Sequence, residues 1–344
     1  MRNQLRVQLF LLDNLIWVIL LVFFLLNTLV TPRFATYDNL VNIFYHSAIM
    51  SMLVLAQGLI MIIGHLDLSI ESTLAFAPGI AMLLANKWIP VGIDPVTCIA
   101  LTLAVGALVG LFNGYCITKI GVNPFLQSLS MLIMLRGIVL FLVPFSIFPL
   151  DKVYVYAGQA RMVGNIPVAI PIVLVIFIIF HLILQYTPFG RHFVATGGNP
   201  RASFISGINT NRVIMYAFVI SGLLAAVAGL LAAGRQGSVS NSMGEGMVLL
   251  SFAGAILGGA SLEGGKGTPL GMLGGALLLG MISNSLNLLG VGVNLVYATQ
   301  GALIFVAIVI DRLRVKFRGH LLHQEQIQKI LHRENQDPNL STVG

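Results

Sequence analysis

Charge is what this chain has least of. Only 9% of its 344 residues are Asp, Glu, Lys or Arg, where a soluble domain carries about 25%. Apolar residues make up 57%, and the mean hydropathy is +0.93. A soluble fold needs a charged surface that this composition cannot supply, and a disordered chain needs fewer apolar residues. Both classes are excluded. Cysteine is nearly absent. Cys98 and Cys116 lie in apolar stretches with no CxxC or Cys/His spacing, which argues against a disulfide framework or a metal site.

Enzyme signatures are missing too. Gly-Gly-Lys-Gly-Thr at 264–268 resembles a phosphate loop, but that motif needs Gly six residues before the Lys and Ser or Thr right after it. Ala260 and Gly267 occupy those places. No dinucleotide fingerprint, HExxH or GxSxG occurs. No catalytic residue, cofactor or metal is expected, and any energy source would be external. The formal charge of +7 would suggest nucleic acid in a soluble protein. Here the basic residues sit in loops and tails, where they set membrane topology, so no nucleic-acid partner is expected. The first apolar run is followed by Pro32 and Arg33 without a small-residue cleavage pattern, unlike a signal peptide.

What is present is apolar runs. Ten are read at 11–31, 46–64, 70–86, 96–118, 122–146, 166–186, 212–234, 247–261, 268–289 and 294–311. A membrane span takes about 20 apolar residues, and in lipid the backbone must bond internally, so these runs predict helices. The expectation is an all-α polytopic membrane protein of about ten transmembrane helices. The eighth run is short and glycine-rich, which predicts a broken or partly re-entrant helix. With a cytoplasmic N-terminus, 13 Lys and Arg fall inside and 5 outside, with Arg136 in a span. This bias places both termini in the cytoplasm. Residues 1–311 read as the membrane domain and 312–344 as a basic and polar cytoplasmic tail.

Glycines recur every four residues at Gly106, Gly110 and Gly114, and again at Gly254/Gly258 and Gly271/Gly275. Such spacing lets helices pack closely, within one subunit or between two. The loop at 187–212 is the longest cytoplasmic connection. Asn199 is a good N-cap, Pro200 suits a first turn and Gly207 a stop, so 200–206 is predicted as a two-turn surface helix. Asp67 and Glu71, in GHLDLSIES, are four apart and are placed on one helix face. They read either as path residues or as a cytoplasmic cap. Arg136 is a second intramembrane charge, able to pair with an acid or to line the path. Gly64–Ser69 (GHLDLS) is echoed by Gly258–Glu263 (GGASLE), a pattern seen in transporter repeats.

The segments GRHFVATGGNPRASFISGINTNR, SGLLAAVAGLLAAGR, AILGGASLEGGKGT and NSLNLLGV occur in that order. With Gly64–Ser69, Asn113-Gly114 and Leu135-Arg136-Gly137, they resemble the permeases of ribose-type sugar importers. These form a ribose, xylose and autoinducer-2 group within the family of branched-chain amino-acid permeases. The likeness covers roughly 45–311. It implies the ten-helix fold of type II importers in a bacterial inner membrane. It further implies a dimer of permeases, a separate cytoplasmic ATPase and an extracytoplasmic solute-binding protein. The loop would carry the coupling helix, through Gly190, Arg191, Gly198, Asn199, Pro200, Ala202, Phe204 and Gly207. Asp67, Ser69, Glu71, Asn113, Arg136, Asn284 and Asn287 would line the path. His65 and Glu71 stand where the family pattern has glycine, pointing to a different solute or to one half of a heterodimer. Branched-chain amino-acid or nucleoside import, and ion-coupled secondary transport through Asp67, Glu71 and Arg136, are the alternatives.

Overall fold

The computed structural model describes residues 14–85, 92–292, 294–296, 298–310, 312, 313, 316 and 317. The start of the first run, Lys87, Asp311 and nearly all of the 312–344 tail lie outside the described residues. The chain is helical, and among the described residues the only β pairings are the isolated bridges Ile147–Val239 and Arg161–Pro167.

The order is α1 (Leu15–Val30), α2 (Tyr37–Ile62), α3 (Ile70–Leu83), α4 (Pro95–Tyr115, continued by a π turn over Cys116–Ile120) and α5 (Pro124–Leu142). Next come α6 (Lys152–Gln159), α7 (Ala169–Tyr186), α8 (Pro188–Gly198), α9 (Pro200–Ile205), α10 (Thr210–Gln236), α11 (Met247–Leu257) and α12 (Pro269–Leu288). A further apolar stretch, Asn294–Ile310, is helical at its described residues. One local code starts many of these helices. A capping side chain followed by proline opens α4 (Asp94-Pro95), α5 (Asn123-Pro124), α8 (Thr187-Pro188), α9 (Asn199-Pro200) and α12 (Thr268-Pro269). The cap accepts from a free first-turn N–H, and proline gives up only a donor that the helix would not use.

Six helices are long and apolar enough to cross a membrane: α2, α4 with its π turn, α5, α7, α10 and α12. Four shorter apolar helices, α1, α3, α11 and Asn294–Ile310, match the remaining predicted runs. This is an all-α polytopic membrane protein. The 11-residue α11 is short but unbroken, about 16 Å long, roughly half a hydrocarbon core. Helices α2, α10 and α12 are largely buried, while α4, α5 and α7 leave most of their surface outward.

The glycine stripes are the seams of this single chain. A Cβ on Gly106 would stand 2.5 Å from the Gly222 carbonyl, and one on Gly110 would overlap that of Phe218, so α4 and α10 meet backbone to backbone. Gly258 against Gly271, and Gly275 against Gly254, do the same for α11 and α12. Close approach gains dispersion contacts where lipid offers no hydrophobic drive. Two boundaries differ from expectation. Helix α2 starts nine residues before the predicted 46, and residues 188–198, read as loop, form α8.

Candidate functional site

The predicted site residues separate into four groups. The first closes the bundle beside the α2–α3 junction. Asp67 is fully buried. Its Oδ1 accepts from the Ser69 backbone N–H (3.0 Å) and hydroxyl (2.6 Å), and its Oδ2 from the Ser221 hydroxyl (2.8 Å). The Asn113 amide donates to Ser69 Oγ (2.9 Å) and accepts from Gln127 (3.2 Å). Asp67, Ser69 and Asn113 thus share one network tying the junction to α4, α5 and α10. Each member is satisfied, as a buried polar group requires.

Glu71 belongs elsewhere, which corrects the expectation of one helix face for both acids. Asp67 precedes α3, whose cap is Ser69 and whose first turn holds Glu71; the i, i+4 rule therefore does not apply between them. Glu71 Oε1 pairs with Arg136 Nη2 at 3.3 Å, and Oε2 accepts from the Val248 N–H at 3.1 Å. Arg136 Nη1 donates to the carbonyls of Asn241 (2.5 Å) and Met243 (3.2 Å). A cavity of about 330 Å³ adjoins this pair, with Asn241, Ser242 and Glu245 in its wall.

The third group lines a larger cavity of about 590 Å³ in the half of the bundle away from α8 and α9. Asn284 and Asn287 of α12 line it. Asn284 Nδ2 donates to Asn39 Oδ1 at 3.0 Å, while its own buried Oδ1 has no protein partner. The sequence reading missed Asn39, Asn42, His46, Ser47, Arg235 and Glu245, which also line the cavity. Arg235 is held by the His46 ring and stacks 5.2 Å over Tyr45. A signal existed: Asn39, Asn42 and His46 are three and four apart, one polar stripe on an apolar helix. Starting the helix at 46 cut that stripe away.

The fourth group is the α8–α9 surface. Asn199 Oδ1 accepts from the Ala202 N–H at 2.9 Å, Pro200 opens α9 and Gly207 has φ +87°, as predicted. Ser203 is buried, whereas Arg201, Ala202, Phe204 and Ile205 are exposed. In α8, Gly190 packs on the backbone of Leu184, and Arg191 faces outward. Gly197 and Gly198 meet Gly264 and Gly265, and the Gly265 N–H donates to the Ile62 carbonyl at 2.8 Å.

The internal echo is structural. Helix α2 ends with His65 N–H to the Ile60 carbonyl (3.0 Å) and Gly64 N–H to that of Met61 (2.9 Å). Helix α11 ends with Ala260 to Ala255 (2.9 Å) and Gly259 to Ile256 (2.8 Å). Both are Schellman caps on a left-handed glycine. After them Asp67 caps the Ser69 N–H, and Ser261 caps that of Glu263. Gly64 therefore corresponds to Gly259 and not to Gly258, and the second copy is one residue shorter before its capping side chain.

A family model described as "Branched-chain amino acid transport system / permease component" matches residues 39–308. The chain is 31% identical over 307 residues to a ribose import permease protein of Haemophilus influenzae, covering 88% of this chain and 94% of that protein. It is 33% identical over 296 residues to the ribose import permease protein of Bacillus subtilis, with 85% and 90% covered. A D-allose transport system permease protein of Escherichia coli is 29% identical over 299 residues, with 86% and 90% covered. No solved structure matches the chain.

Proposed function

The chain belongs to the branched-chain amino acid transport system / permease component family, and from that premise we propose that it is the membrane permease subunit of an ATP-driven importer for a sugar. The carrying observation is the cavity of about 590 Å³ inside an apolar bundle. Its wall of asparagines, serine and histidine offers paired donors and acceptors to a hydroxyl-rich solute. Solute sites of this kind combine convergent polar groups with an apolar frame.

On this reading all ten apolar helices form the membrane domain, 1–311. The 312–344 tail and both termini are cytoplasmic, in a bacterial inner membrane. The central cavity then opens away from the cytoplasm, toward a solute-binding protein. The surface formed by Gly190, Arg191, Gly198, Asn199, Pro200, Ala202, Phe204 and Gly207 docks on a separate ATPase, where hydrolysis takes place. A second permease copy or paralogue completes the transporter. Asn284 and Asn287 line the path, Glu71 and Arg136 stand at its side, and Asp67, Ser69 and Asn113 close its cytoplasmic end. Ion coupling through Asp67, Glu71 and Arg136 is less well supported, because Asp67 bonds to serines while Glu71 and Arg136 bond to each other and to the 241–248 segment.

The test is reconstitution with the cognate ATPase and binding protein, followed by uptake of labelled D-ribose and D-allose. ATP-dependent uptake that survives a proton ionophore is expected. Uptake independent of ATP and abolished by the ionophore would replace this reading with secondary transport.

A further inference from the structure

Residues 241–246 form a run of turns between α10 and α11, with Gly244 and Gly246 both at φ +77°. Glu245 stands between these glycines and lines both the 330 Å³ side cavity and the 590 Å³ central one. The segment is therefore the partition between them. Its own backbone bonds are few: Met243 to Ser240 (3.4 Å), Glu245 to Ser242 (3.2 Å) and Met247 to Gly244 (3.0 Å). Its anchors come from neighbouring helices. Arg136 holds the carbonyls of Asn241 and Met243, and the Asn241 side chain donates to the Val143 carbonyl at 2.9 Å. Glu71 fixes Arg136 from behind and takes the Val248 N–H in the first turn of α11. Gly244 lies so near the Glu71 carbonyl that a Cβ would be 2.9 Å from it.

We propose that Glu71 and Arg136 act as one latch that holds this partition, and Glu245 on it, in place between the two cavities. They are positioning residues for the solute chamber. The inference rests on reading the central cavity as that chamber. Arg136 is bound to Glu71 and to two carbonyls of the partition, and Glu71 to Arg136 and to the Val248 N–H just beyond the partition. Neither is left over for a proton relay, and loss of either releases the same segment. A charge-assisted bond in a low-dielectric interior is stronger than a neutral one, so the pair outweighs the segment's own sparse turns.

The experiment uses the full chain in lipid nanodiscs, with Cys98 and Cys116 replaced by alanine and a reporter introduced as Met243→Cys, a buried position on the partition. A charged methanethiosulfonate reagent measures its opening rate. Glu71→Gln and Arg136→Gln should each raise that rate about ten-fold, and Glu71→Gly at least as much. The Glu71→Gln/Arg136→Gln double variant should be no faster than the faster single, because the two act on one segment. A second reporter, Ser221→Cys in the Asp67 network, should label at an unchanged rate. Equal labelling of the Met243→Cys reporter in all variants, additive effects in the double, or a parallel rise at the Ser221→Cys reporter would each overturn the latch. Labelling needs neither solute nor ATPase, so failure of the permease reading would appear separately, in the transport assay of the unmodified chain.

Discussion

Gly197 presses on the carbonyl oxygen of Ile62 so closely that a Cβ there would overlap it, and that same oxygen accepts from the Gly265 N–H at 2.8 Å. The end of α2, the end of α8 and the α11–α12 loop thus meet as bare backbone, where any side chain is a wedge. Gly197→Ala should cost about 1–3 kcal/mol of stability and lower the midpoint of thermal unfolding. Gly198→Ala is the control, since its nearest neighbour would be the Gly265 Cα at 3.9 Å; it should stay within about 0.5 kcal/mol. Equal midpoints for the two variants would contradict the close approach.

The proposed coupling surface makes a second test. A two-turn helix is about 10 Å long and unstable alone in water, so α9 is held by Ser203 and its caps. That leaves Phe204 and Ile205, 69% and 79% exposed, free to anchor a partner. Burial of such a side chain is worth roughly 1.5–3 kcal/mol. Phe204→Ala and Ala202→Asp should insert normally but weaken co-purification with the ATPase by about ten-fold or more. They should also remove solute-stimulated ATP hydrolysis. Full stimulation in both would take α9 out of the mechanism.

Topology is tested at exposed positions. The charge bias places the connection at 147–165 outside; within it Gly158, in α6, is a poor labelling site because it packs on the backbone of Gly234 and Arg235. Val163, at the tip of the same loop, is 98% exposed. Val163→Cys should react with an impermeant maleimide from outside intact cells, and Ile205→Cys only after lysis. The opposite pattern would invert the orientation that the charge bias assigns.

In the central cavity, Asn284→Ala removes a lining amide and leaves Asn39, also in the wall, without its donor. The KM for the transported sugar should rise about ten-fold, with ATPase assembly intact. An unchanged KM would move the solute site elsewhere.

The long helices were legible because lipid imposes one requirement on every span, a continuous apolar run, and all ten runs have an apolar helix. The α9 helix was legible from Asn199, Pro200 and Gly207, since caps act locally. Helix α8 was missed although Thr187 and Pro188 carry the same opening code, because its sequence, with Arg191, His192 and Thr196 among three glycines, has little apolar periodicity. The cavity was only half visible. Asn284 and Asn287 sit within a recognised segment, whereas Asn39 and Asn42 look like loop until α2 is extended, which leaves His46 alone at the start of its run. The partnership of Glu71 with Arg136, 65 residues away, has no local signature at all, and spacing drew Glu71 toward Asp67 instead.

Asp67 separates the effect of charge from that of hydrogen bonding. Its two oxygens accept three bonds, from the Ser69 N–H, the Ser69 hydroxyl and the Ser221 hydroxyl, and no cation pairs with it among the described residues. In Asp67→Asn the carbonyl oxygen can keep both Ser69 bonds. The new amide then faces Ser221, whose hydroxyl can turn and accept. The variant should stay folded, losing about 1 kcal/mol. Asp67→Ala instead strands a buried N–H and two hydroxyls at roughly 1–3 kcal/mol for each donor left without a partner, and should not accumulate in the membrane. Ser221→Ala alone leaves one carboxylate oxygen unpaired, but on the Asp67→Asn background it removes only the bond already weakened. Unfolding midpoints of the two singles and the double should therefore be non-additive by at least about 0.5 kcal/mol. Strict additivity would mean that Ser221 and Asp67 do not share the bond that closes this end of the bundle.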